Sequence, residues 1–113
     1  MEGLISKEEV QVAFDKANEL MGTLNLSGAI CLKKYKARAS TDITGFGVHG
    51  HANLLVNCQK NKVDFKIHTL PIIKNMLKID KIVNNFKLIE GFSAETSGGL
   101  LVCLPKDQAD SFV

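Results

Sequence analysis

Asp42 stands inside Thr41-Asp42-Ile43-Thr44-Gly45-Phe46-Gly47-Val48-His49-Gly50-His51, the stretch of this sequence densest in groups that do chemistry. Its spacing admits three readings. From Gly45 the residues run Gly-x-Gly-x-x-Gly, the spacing of a dinucleotide-binding turn. Alternatively, the Asp42 carboxylate beside a glycine-rich turn suits a magnesium–phosphate pair. Mg2+ keeps several waters and takes one or two carboxylates with phosphate oxygens, and N–H groups converging at Gly45, Gly47 and a helix start favour the anion. The third reading involves no chemistry: Asp42 caps the turn by accepting from backbone N–H groups.

The dinucleotide reading fails on context. Such a turn should follow a buried parallel strand rich in Val and Ile, but Lys36-Ala37-Arg38-Ala39-Ser40-Thr41 has only alanines as apolar residues and two long cations among them. An acid about 20 residues further on should hold the ribose. Asp64 is near that place, but at the start and on the wet face of an alternating segment. Between metal and cap, the residues alone favour the cap, because one carboxylate does not make a metal site. A magnesium site here would have to borrow ligands from elsewhere.

Other polar groups carry weaker signals. His49 and His51 are two apart, and on a helix such residues do not face each other, so His51 reads as a buried, hydrogen-bonded side chain. Lys33-Lys34-Tyr35-Lys36-Ala37-Arg38 fits a helix end, where cations complement the dipole, better than a phosphate or nucleic-acid contact. Thr96-Ser97-Gly98-Gly99 serves equally as a contact to nucleotide or substrate through its N–H groups or as the turn admitting the next strand. Thr44 suits a phosphate contact, but a turn or cap hydroxyl fits it better. Cys31, Cys58 and Cys103 are odd in number, far apart and without a Cys-x-x-Cys pair, which reads as three small buried hydrophobes in a reducing setting.

The elements that must position these residues alternate between periods of 3.6 and 2. Ser6-Lys7-Glu8-Glu9 is a capping box. Val10, Ala13, Phe14, Ala17, Leu20, Met21 and Leu24 then recur at helical spacing and predict one buried face. A shorter helix is expected from near Ser27 to Lys34–Lys36. A short extended segment follows at Ala37–Ser40, and then a helix from Gly47 to about Lys60 with Val48, His51, Ala52, Leu55 and Cys58 on its apolar side. Val63 to His68 alternates strictly and predicts a strand with one wet face. Pro71 is placed to open a helix carrying Ile72, Ile73, Met76, Leu77, Ile79 and Val83. Gly98–Leu104 is an apolar run, a candidate central strand, and Pro105-Lys106-Asp107 starts a last helix. That helix, about two turns long with Phe112-Val113 at its tip, reads as cut short.

At 113 residues there is length for one domain with a modest core, and a net charge of +2 gives no field that calls for nucleic acid. No apolar run approaches the ~18 residues of a membrane span, and the N-terminus lacks a signal-peptide pattern. A cytoplasmic protein is expected, with neither nucleic acid nor membrane among its partners.

The motif closely resembles the Thr-Asp-(Val/Ile)-Thr-Gly-Phe-Gly-x-x-Gly-His sequence of selenophosphate synthetases (selenide, water dikinases). Glu95-Thr96-Ser97-Gly98-Gly99-Leu100-Leu101 resembles the same family's Thr-Ser-Gly-Gly-Leu-Leu block, in order and in register. The long helix before the first block also agrees, so the resemblance covers nearly the whole chain. It implies an α+β fold, a mixed β-sheet with helices packed on it, like the C-terminal domain of the aminoimidazole ribonucleotide synthetase superfamily. The chain is then one partial C-terminal-type domain, residues 1–113, truncated at its C-terminus and lacking the catalytic N-terminal ATP-binding domain.

The resemblance further implies transfer of phosphate from ATP to selenide, giving selenophosphate, AMP and phosphate, in an enzyme that is a homodimer when full-length. Asp42 would supply a Mg2+ ligand; Thr44 and Gly45 are weaker candidates for cofactor contact. No residue of this chain matches the family's catalytic cysteine and lysine, so the fragment alone is expected to be inactive. A regulatory or scaffolding member of the same family is the alternative. Ala94, where the family often has proline, bears on loop stiffness, and His49, where an aliphatic residue is usual, on packing.

Overall fold

Helix formation follows the caps and the apolar spacing. In a computed structural model of the chain, which describes residues 5–113, helix α1 spans Lys7–Gly22. Ser6 Oγ accepts from the Glu9 N–H at 3.1 Å and Glu9 Oε2 accepts from the Ser6 N–H at 3.0 Å, completing the capping box. Helix α2 follows at Leu26–Lys34, with Lys33 and Lys34 in its last turn as the dipole favours. It ends in a Schellman motif: the Ala37 N–H donates to the Leu32 carbonyl at 2.9 Å and the Lys36 N–H to the Lys33 carbonyl at 3.3 Å. Lys36 occupies the left-handed position of that motif, with φ 53°.

Strand β1, Ala39–Asp42, leads through a turn into helix α3, Gly47–Asn57. Helix α4 covers Met76–Val83, strand β2 Leu100–Cys103 and helix α5 Lys106–Phe112. The two strands pair antiparallel, with Ala39 opposite Cys103 and Asp42 opposite Leu100. Helix α3 packs on β1, and α1 on α4. Asn75 Nδ2 donates to the Glu9 carbonyl at 3.0 Å, and Lys78 forms an ion pair with Glu9. The Asp80 carboxylate accepts from the Phe86 N–H at 2.8 Å and the Leu88 N–H at 3.4 Å, organising the segment that follows α4.

The α+β class agrees with expectation, but the sheet among the described residues is one antiparallel pair, and β2 is half of it rather than a central strand. Residues 63–68 form no strand and are exposed on both sides. Alternation makes a segment able to pair; a strand also needs a neighbour for its N–H and C=O groups, and no strand among the described residues pairs with it. Helix α4 opens five residues after Pro71. Residues 71–73 are irregular and Asn75 turns left-handed with φ 71° before the helix begins. Helix α3 ends at Asn57 rather than near Lys60.

The core is small. Ala13, Ile43, Ala52 and Leu55 are its buried apolar residues among those described. The apolar stripe of α1 was expected to be covered, yet Phe14 is 61% exposed, Leu24 80%, and Val10, Leu20 and Met21 also face solvent. Helical period puts these residues on one side; it does not supply the surface that would cover them. The cysteines also depart from expectation: Cys58 is exposed, while Cys31 and Cys103 are half-buried.

Candidate functional site

The site is made where residues 42–47 meet residues 91–99. Ladder pairing brings Asp42 opposite Leu100, and the Ile43 N–H extends it by donating to the Gly99 carbonyl at 2.9 Å. Ile43 is buried and anchors the segment from below. The chain then turns, and the Thr44 carbonyl accepts from both the Gly47 N–H at 3.1 Å and the Glu95 N–H at 2.8 Å. Asn25, at the start of α2, donates through Nδ2 to the Gly98 carbonyl at 3.0 Å and ties the second segment to α2.

Two glycines make this approach possible. Gly47 has φ +69°, and a Cβ there would meet the Gly91 and Ser93 carbonyl oxygens at 2.7 and 2.6 Å. At Gly98 a Cβ would lie 2.2 Å from the Ile43 carbonyl oxygen and 2.6 Å from Glu95 Oε2. Gly45 is different. Its backbone is outside the left-handed region and a Cβ there would meet nothing within 4 Å, so glycine's conformational freedom at this position is not what shapes the turn.

Asp42 lies at the end of β1 with its carboxylate exposed. That carboxylate accepts no hydrogen bond and forms no ion pair among the described residues; the bond at this residue runs from the Thr41 hydroxyl to the Asp42 main-chain oxygen, 3.1 Å. The turn is held instead by main-chain groups, so the carboxylate is not its cap. A solvent-facing carboxylate free of internal partners fits a magnesium ion that retains most of its water. It does not make a complete site, because the described residues hold no cluster of three or more His, Cys, Asp or Glu.

The expected anion cradle is partly spent. Of the first amides of α3, Gly47 donates to Thr44 and His49 donates to the Gly91 carbonyl at 2.8 Å. The Gly45 and Phe46 N–H groups have no protein partner among the described residues. Thr44 Oγ1 is half-buried and lies 3.2 Å from His51 Nε2. Phe46 packs against that imidazole, with ring centroids 5.5 Å apart, and is itself 64% exposed.

The two histidines diverge. His51 is buried, 7% exposed, and turns toward Thr44. His49 stacks on Phe92, centroids 4.4 Å apart, and its Nδ1 lies 3.2 Å from the Glu90 carbonyl. His49 borders a cleft of about 500 Å³ with Asp64, Phe65, His68 and Glu90; Asp42, Thr44 and His51 do not line it. The basic segment is also placed away from the turn chemistry: Lys34 Nζ sits 5.1 Å over the Tyr35 ring, and Tyr35 packs edge-on against Phe112.

Glu95 and Asn25 carried no separate signal in the sequence, since their roles arise from contacts distant along the chain. Burial pushes the Glu95 carboxyl above the ordinary glutamate value of 4.5, opposed by the nearby imidazole of His51. Burial also pushes the Cys103 thiol up from its usual value, which keeps it protonated and poorly nucleophilic.

Residues 3–113 match the family model described as AIR synthase related protein, C-terminal domain. The chain is 50% identical over 109 residues to selenide, water dikinase 2 of Mus musculus, across 96% of this chain and 24% of that protein. It is 53% identical over 110 residues to selenide, water dikinase 3 of Danio rerio, across 96% of this chain and 25% of that one. Against the selenide, water dikinase of Dictyostelium discoideum it is 46% identical over 110 residues, across 96% and 30%. The chain thus spans a quarter to under a third of the length of these curated relatives.

Proposed function

The chain belongs to the family of AIR synthase related protein C-terminal domains, and on that premise we propose that it is the C-terminal region of a selenophosphate synthetase. The enzyme converts ATP, selenide and water to selenophosphate, AMP and phosphate. The chain's part is to present Asp42 as one Mg2+ ligand at a site whose other ligands, ATP-binding groups and nucleophile lie on the rest of the polypeptide. The observation that carries this reading is the Asp42 carboxylate, exposed at the end of β1, without a partner among the described residues, on a turn fixed from both sides by main-chain bonds.

Bound Mg2+ supplies neutralisation of phosphate charge, which is most of what phosphoryl transfer asks of a protein site. The chain's own residues act around it. The Ile43–Gly99 and Glu95–Thr44 bonds hold the Asp42 turn in one place. The Gly45 N–H, without a protein partner among the described residues, and the Thr44 hydroxyl are the candidate donors for a phosphoryl oxygen. With no cluster of three or more His, Cys, Asp or Glu among the described residues, the chain alone has no activity in this reading, and metal binding depends on apposition of the other domain.

The test is Asp42→Ala in a full-length selenide, water dikinase carrying this domain. Turnover is expected to fall by about a hundredfold or more, with the unfolding midpoint unchanged because the side chain has no partner among the described residues. Turnover at the parent rate sinks the reading.

A further inference from the structure

His51 is the one buried polar side chain among the described residues, and Asp42 does not touch it. Its Nε2 lies 3.2 Å from Thr44 Oγ1, and its ring packs against Phe46. Thr44 is thereby held at three points: its carbonyl by the Gly47 and Glu95 N–H groups, its hydroxyl by the imidazole. A hydroxyl has one proton and two acceptor lone pairs, so the partner on one side decides what the other side can offer. If Nε2 carries the imidazole proton, it donates to Oγ1, and the Thr44 proton is left for a group outside the protein. If Nε2 is bare, it takes that proton and the outward face of Thr44 only accepts.

We propose that His51 is a positioning residue for phosphoryl transfer: its Nε2–H donates to Thr44 Oγ1, fixes the Thr44 side chain two residues from Asp42, and leaves the Thr44 hydroxyl proton to a phosphoryl oxygen of the nucleotide. The inference rests on the reading of Asp42 as part of a phosphoryl-transfer site. It assigns Thr44 the substrate contact and His51 an action through Thr44. Burial suits His51 to this task, because a hydrogen bond shielded from water holds a hydroxyl rotor better than an exposed one.

The test uses the full-length dikinase with His51→Phe, His51→Gln, Thr44→Val and the double variant His51→Phe/Thr44→Val, alongside Asp42→Ala. Phenylalanine keeps the ring against Phe46 and removes the donor; glutamine returns an N–H close to the Nε2 position. The contact is made in the transition state, so kcat carries the effect. His51→Phe is expected to lower kcat about tenfold with KM for ATP little changed, and His51→Gln to recover most of that loss. Thr44→Val is expected to match His51→Phe, and the double variant to be no worse than either single one, as residues acting through one contact require.

Full turnover in Thr44→Val, a glutamine variant no better than phenylalanine, or additive losses in the double variant would each overturn the proposal. Should His51→Phe fail to fold, Thr44→Val and His51→Gln decide: kcat reduced in the first and largely retained in the second supports it, and any other pair of results refutes it. Parent-level turnover in Asp42→Ala strikes the underlying reading instead, whatever the His51 variants do.

Discussion

Gly98→Ala tests the docking of the two motif segments most directly. The added Cβ would sit 2.2 Å from the Ile43 carbonyl oxygen, where real Cβ contacts essentially never fall below 3.0 Å. The carbonyl must therefore retreat by about 0.8 Å merely to reach that limit. The other clash, 2.6 Å from Glu95 Oε2, involves a flexible carboxylate that can swing aside. The carbonyl has no such freedom. Moving it disturbs the Ile43–Gly99 bond at 2.9 Å and the Glu95–Thr44 bond at 2.8 Å.

Losing one or both bonds costs about 1 kcal/mol apiece, and forced overpacking adds about 1–3 kcal/mol. The expected destabilisation is about 2–5 kcal/mol, a large share of an ordinary domain's stability. Urea unfolding of the protein carrying the domain measures it. Gly99→Ala is the control, since a Cβ there meets nothing within 4 Å, and its effect should stay within about 0.5 kcal/mol. Equal midpoints for the two variants would refute the argument that Gly98 is required by the approach of Ile43.

Lys36→Gly should stabilise the protein by about 0.5–1 kcal/mol, because Lys36 holds φ 53° in the Schellman motif after α2, a conformation that glycine adopts without a Cβ penalty; an unchanged or lower urea midpoint contradicts this. Glu9 gives a pH dependence. Its hydrogen bond from Lys78, and next the Ser6 N–H, hold its carboxyl below 4.5, so the stability it contributes is present above that value and is lost as pH falls through and below it. Glu9→Gln can keep the capping box while removing the ion pair. Thermal midpoints of parent and variant should differ most near neutral pH and converge in acid, and a gap that widens on acidification is the opposite of what this geometry requires.

Much of the local structure was legible. The capping box, the 3.6-residue spacing before Gly22 and the two lysines closing α2 all act through neighbours within a few residues, so sequence order carries them. The segment at residues 63–68 shows where that stops. Its alternation is real, but pairing depends on a partner strand that local pattern cannot name. Pro71 likewise permits a helix start without requiring one, and Asn75 moves the start to Met76.

The site divides in the same way. The residues at 41–51 and 95–101 mark the chemistry and the resemblance by themselves, because residue identity and spacing are all that a motif needs. The residues alone favoured Asp42 as a cap of the turn, and the family resemblance made it a metal ligand. Tertiary structure bears on the cap, since whether a carboxylate is consumed depends on which backbone groups surround it, and among the described residues main-chain bonds from Gly47 and Glu95 hold the turn while the carboxylate accepts no hydrogen bond. The His51–Thr44 contact, the anchoring of Gly98 by Asn25 and the exposure of the α1 stripe are decided at the same level. Each depends on which surfaces meet, and periodicity fixes a face without specifying what lies against it.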